Sequence, residues 1–101
     1  MRRRVRFLLE AKAEFDEAAD WYEARLRGLG KDFIAKVREV IKRITRTPGL
    51  YAMVHGEVRQ TIIERFPYSA LYQEDKQEII VIAVFHSSRN PDVWKKRIRP
   101  T

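Results

Sequence analysis

Apolar and polar residues change period several times along this 101-residue chain, and each change marks an element. Arg2 to Leu9 alternates, with Val5, Phe7 and Leu9 on one side and Arg4 and Arg6 on the other. A period of two predicts a half-buried strand near a sheet edge, where arginine keeps the outer face solvated. From Ala11 to Leu26 the period turns helical, with Phe15, Ala18, Ala19, Tyr22, Leu26 and Leu29 in one stripe. Glu10, Glu14, Asp16, Glu17 and Asp20 crowd its first half and Arg25 and Arg27 its end, an order that suits the helix macrodipole. Gly28 and Gly30 are expected to stop this helix. A second helix is predicted over Asp32 to Thr47, with Phe33, Val37, Val40 or Ile41, and Ile44 inward and Pro48-Gly49 at its end. So short a connection predicts two antiparallel helices.

Leu50 to Glu57 reads as a loop. Three strand-like segments follow, Val58 to Phe66, Tyr68 to Glu74 and Glu78 to His86, divided by Pro67 and by Asp75-Lys76-Gln77. Hairpin-length connections predict a β-meander. Ile79 to Phe85 is an unbroken apolar run, too short for a membrane span and rich in β-branched residues. It is predicted to be the central strand, buried on both faces. Val93 to Ile98 suits a short helix or turn. The expected fold class is α+β: a small single domain over residues 1–101, β-α-α-β-β-β, with an antiparallel sheet and the helical hairpin packed on one face.

Composition narrows the setting. An apolar content of 45% is enough for one ordered core and argues against disorder. The chain has no cysteine, which excludes a disulfide framework or thiolate zinc site and makes a cytoplasmic location the expectation. Met1 to Arg4 resembles the start of a signal peptide, but the alternation and acidic helix behind it do not continue one. A formal charge of +7 predicts an acidic partner, either nucleic acid or an acidic protein.

The candidate chemistry lies where the apolar run breaks off into His86, Ser87, Ser88 and Arg89. His86 at a strand end has the chemistry of a general acid or base; the plainer alternative is a histidine that only hydrogen-bonds at the sheet rim. Arg59 and Arg65 share parity on one expected strand, and Arg89 follows His86 closely. Three guanidinium groups on one face would grip a phosphate, whereas a solvated charge face is the competing explanation. Tyr68 and Tyr72 share a strand face and either stack bases or pack in the core; Trp21 and Trp94 read as core or rim anchors. His55 and His86 stand in different segments without a ligand-spaced carboxylate, so no metal site is expected. No glycine-rich phosphate loop or serine-triad pattern occurs, and Ser87 and Ser88 read as caps rather than nucleophiles.

Nearly the whole length resembles the RelE/ParE superfamily of bacterial type II toxins, known from toxin–antitoxin and plasmid stabilisation systems. The likeness rests on the opening strand, A-x-x-E-F-x-E-A-x-x-W-Y-E at Ala11 to Glu23 and L-G-x-x-F-x-x-x-V at Leu29 to Val37. It continues through P-x-x-Y at Pro48 to Tyr51, Val58-Arg59, F-P-Y-x-x-x-Y at Phe66 to Tyr72 and V-F-H-x-x-R-x-P-x-x-W at Val84 to Trp94. Such membership implies a toxin held inactive by a cognate antitoxin, which wraps it with an acidic or amphipathic segment. It implies no membrane association and no cofactor.

The superfamily divides by target. RelE-like members cut mRNA on the ribosome without a metal, using basic side chains that include lysines before the second strand and a tyrosine near the C-terminus. ParE-like members poison DNA gyrase. Here Leu50 to Val58 holds no lysine or arginine and no tyrosine follows Tyr72. What remains for a nuclease is His86 as acid or base, with Arg59, Arg65 and Arg89 on the scissile phosphate. Without the rest of the proton-transfer set, the expectation leans to a ParE-like gyrase inhibitor. The alternatives are a RelE-like mRNA endonuclease and a non-toxic basic nucleic-acid-binding module.

Overall fold

The computed structural model describes residues 3–99. Strand β1 (Arg4–Phe7) leads into helices α1 (Leu9–Arg25) and α2 (Leu29–Arg46), and a 3-10 turn follows at Pro48–Leu50. Strands β2 (Met53–His55), β3 (Val58–Ile63), β4 (Tyr68–Glu74) and β5 (Glu78–His86) precede a short helix, α3 (Asp92–Lys95). The strands form one sheet in the order β1-β5-β4-β3-β2. The α+β class and the helical hairpin on one face are those expected.

One pairing departs from the expected antiparallel sheet: β1 runs parallel to β5, while the other neighbours are antiparallel. The segment read as a loop is the reason. It contains the 3-10 turn and β2, a short exposed edge strand with no burial period. Each element after β1 turns the chain back on the previous one. Inserting β2 changes the number of reversals before β5 from odd to even, which brings β5 in parallel beside β1. β5 is therefore an interior strand between β1 and β4 rather than the middle of the sheet.

The stripe of α2 behaves as its period demands: Phe33, Val37, Val40 and Ile44 are buried. α1 buries Ala11, Ala18 and Ala19, small residues that let it lie close to its neighbours. Leu26 leaves the expected stripe because the helix ends at Arg25, and it is 63% exposed. At the other end the chain turns at Leu8, so Leu8 is buried and Leu9, expected inward, is exposed. The expected start of β1 at Arg2 lies outside the described residues.

Two glycines set the hairpin. Gly28 takes a left-handed backbone (φ 90°) between the helices. Gly30 belongs to α2, and a β-carbon on it would stand 2.6 Å from the carbonyl oxygen of Ala19. The Glu23 carboxylate accepts hydrogen bonds from the amides of Gly28 (2.9 Å) and Gly30 (3.0 Å). A side chain of α1 thus caps the start of α2, and these bonds, Gly28's foremost, hold the Glu23 carboxyl below its ordinary pKa.

Every residue from Ile79 to Phe85 is buried. Helices cover one face, where Phe33 and Tyr22 pack on Tyr68 and Phe66. On the C-terminal segment Trp94 is buried, and Gln73 and Arg99 exchange side-chain-to-backbone hydrogen bonds. Tyr72 belongs to the core: it is fully buried, its hydroxyl donates to the Pro48 carbonyl (2.6 Å), and burial pushes its pKa up to about 12.

Candidate functional site

The site follows from a mismatch in strand length. β1 stops at Phe7, opposite Val81, so the last turn of β5 has no strand on that side. β5 also carries a bulge there: Tyr72 pairs with Val81 and Leu71 with Ala83, leaving Ile82 as the extra residue. Past the bulge, the backbone is satisfied by side chains instead of a strand. The carbonyl of Ile82 accepts from the Arg97 guanidinium (3.0 Å), and the amide of Val84 donates to Glu14 Oε1 (3.1 Å). Glu14 and Arg97 are themselves joined by two bonds of 2.9 Å, with both side chains 11% exposed. Arg89 adds a third contact to the Glu14 carboxylate at 3.2 Å.

Beside this plug lies an open groove of about 580 Å³ between α1 and the ends of β4 and β5. Glu14, Glu17, Ala18, Trp21 and Tyr22 of α1 form one wall; Tyr68, Val84, His86 and then Ser88 and Arg89 form the other. Tyr68 and His86 are register partners and meet edge to face at 5.1 Å. Burial raises the Tyr68 pKa, with Arg89 opposing and Glu14 reinforcing. Trp21 is half exposed, with the Arg25 guanidinium 4.3 Å above its ring.

His86 is held by the turn behind it. Its Nδ1 accepts the Ser88 amide (3.0 Å), and the Ser88 hydroxyl lies 2.8 Å away. An amide can only donate, so Nδ1 presents its lone pair and the neutral ring carries its proton on Nε2. In that tautomer Nε2–H faces away from the turn as the ring's hydrogen-bond donor.

The predicted site residues divide. His86 and Arg89 come together in the groove, although Arg89 is tied to Glu14 and stacks 4.5 Å from the Phe85 ring centre. Arg59 points into other work: it donates to the carbonyls of Gly49 and Tyr51 and lies 3.4 Å from Glu74, fastening the 3-10 turn to the sheet. Its register partner is Tyr72, four residues along β4 from Tyr68, or about 13 Å at strand rise. Arg65 does not continue the face of Arg59, because β3 ends at Ile63 and Arg65 sits in the following turn with a left-handed backbone (φ 74°). The three arginines thus form no common cradle. Glu14 and Arg97 were not singled out from the sequence. The only signal for Glu14 was its place in A-x-x-E-F, and Arg97 had none. Among the described residues, no three potential metal-ligating side chains cluster, and no helix is long and apolar enough to cross a membrane.

A helical hairpin over a five-stranded mixed sheet, with a groove at one end, is a fold shared with toxins of the RelE/ParE type. The chain belongs to the ParE family: the model described as "ParE toxin of type II toxin-antitoxin system, parDE" matches residues 5–91. Among solved structures it is similar to the chromosomal ParDE toxin–antitoxin system from P. aeruginosa, at 21% identity and TM-score 0.61, over 83% of this chain and 95% of that one. It is also similar to the YoeB dimer from Staphylococcus aureus, at 17% identity and TM-score 0.61, over 85% of this chain and 99% of that one. No curated protein sequence matches it.

Proposed function

We propose that this chain is a cytoplasmic toxin that inhibits DNA gyrase by binding rather than by catalysis, and that a cognate antitoxin with an acidic or amphipathic segment neutralises it. The observation that carries this reading is that the arginines do not converge on His86. Arg59 is bound to the Gly49 and Tyr51 carbonyls and Arg65 stands in the turn after β3, so the groove keeps only His86 and Arg89 of the four groups a nuclease would use. The surroundings support it: Glu17 lines the groove and would repel a scissile phosphate, and Arg89 is already paired to Glu14. Aromatic walls with a few polar groups suit protein docking better than phosphate chemistry.

The second reading is a metal-independent, ribosome-dependent mRNA endonuclease using His86 and Arg89, without Arg59 and Arg65, which lie outside the groove. It draws on the meeting of His86, Tyr68 and Arg89 in one groove. Inducible expression separates the two, with mRNA integrity and the DNA-damage response followed in parallel. The gyrase reading expects growth arrest with induction of that response and intact mRNA, relieved by co-expressing the antitoxin. Codon-positioned mRNA cuts that disappear in His86→Ala and Arg89→Ala would overturn it.

A further inference from the structure

The outer side of α2 carries a line of cations. Lys31, Arg38, Lys42 and Arg46 fall opposite its buried stripe and are exposed or project from exposed positions. At 1.5 Å per residue they span about 22 Å. Among the described residues none of these four makes an ion pair, and the nearby Glu39 is paired with Lys36. Helix stability does not account for them. Arg46 suits the C-terminal end of the macrodipole, but Lys31 in the first turn opposes it and the two middle residues are indifferent to it.

We infer that this line of cations binds the phosphate backbone of a nucleic-acid duplex. The side chain between Lys31 and Arg38 on the same line is Ala35, and no large hydrophobic side chain of α2 is exposed. Protein interfaces are built around such anchors, whereas backbone phosphates require only regularly placed cations. A span of about 22 Å covers between six and seven base-pair steps at about 3.4 Å each. The line is on α2, and the groove is walled by α1, β4 and β5, so the inference is independent of what the groove does.

The test is fluorescence anisotropy of the full chain with a labelled 20-base-pair DNA duplex and an RNA duplex of equal length, across a salt series. One variant carries Lys31→Gln, Arg38→Gln, Lys42→Gln and Arg46→Gln. A second removes the same charge at the exposed positions Arg4, Arg27, Lys76 and Lys96. Four lost phosphate contacts lower the DNA salt slope by about 3.6, so from 50 to 200 mM salt the wild type should lose about 150-fold more affinity than the α2 variant. The second variant should keep most of the wild-type slope, and each single α2 substitution should lower it by about 0.9. The tighter of the two duplexes identifies the source of the phosphates. No binding to either duplex at low salt, or equal losses in the two variants, would overturn the inference.

Discussion

Replacing Glu14 by alanine tests the plug that closes the edge of β5. Glu14 accepts from Arg97, from the Val84 amide and from Arg89. With Glu14 and Arg97 each 11% exposed, the weak surface scale of ion pairs does not apply. Removing one partner of a buried pair costs about 3–5 kcal/mol, because the other charge is left without compensation. That is a large share of the roughly 5–15 kcal/mol that holds a domain folded. At about 4–8 °C per kcal/mol, the thermal midpoint should fall by at least about 12 °C. Urea unfolding followed by circular dichroism supplies the free energy. A cycle with Arg97→Ala isolates the coupling, which should exceed about 1.5 kcal/mol. A cost below about 1 kcal/mol for Glu14→Ala, or single effects that add within about 0.5 kcal/mol, would show that the pair is solvated and the reasoning wrong.

Gly30→Ala should destabilise by about 1–3 kcal/mol, since its β-carbon meets the Ala19 carbonyl, even though alanine is the better helix former by about 1 kcal/mol; a rise in the urea midpoint would refute the close helix contact. Tyr72→Phe removes the donor to Pro48 and should cost about 1–2 kcal/mol by the same assay, with no loss if the 3-10 turn is free of the sheet. Glu23 has a folded pKa below its ordinary 4.5, so its contribution is complete above that pH and is lost as pH falls through the lower folded value. Glu23→Gln should therefore flatten stability against pH below about 4.5; an unchanged acid limb, read by titrating the unfolding midpoint, would contradict the cap.

How much of this was legible in the sequence depended on the range of the interactions. The α2 stripe was readable because one helix face carries the core. Ile79 to Phe85 was readable because a strand buried on both faces has no polar positions. β2 was not, because Met53–His55 is exposed throughout and leaves no period to detect. Missing it inverted the direction expected between β1 and β5. The Arg59–Arg65 parity failed because it assumed strand through Arg65, whereas the chain turns after Ile63. The plug was invisible for a different reason: Glu14 and Arg97 are 83 positions apart, and they meet only because β1 is short and β5 bulges at Ile82. For the site, the sequence located His86 and Arg89 at a rim. The hydrogen bond that holds the His86 ring was not legible, because it depends on the turn that returns the Ser88 amide to Nδ1.

The most direct test of the proposed function is purified gyrase with relaxed plasmid, ATP and increasing toxin. Supercoiling should stop and cleaved gyrase–DNA complexes should accumulate, and an added cognate antitoxin should prevent both. Unchanged supercoiling at a large excess of toxin, with mRNA cut in a parallel translation reaction, would contradict the account.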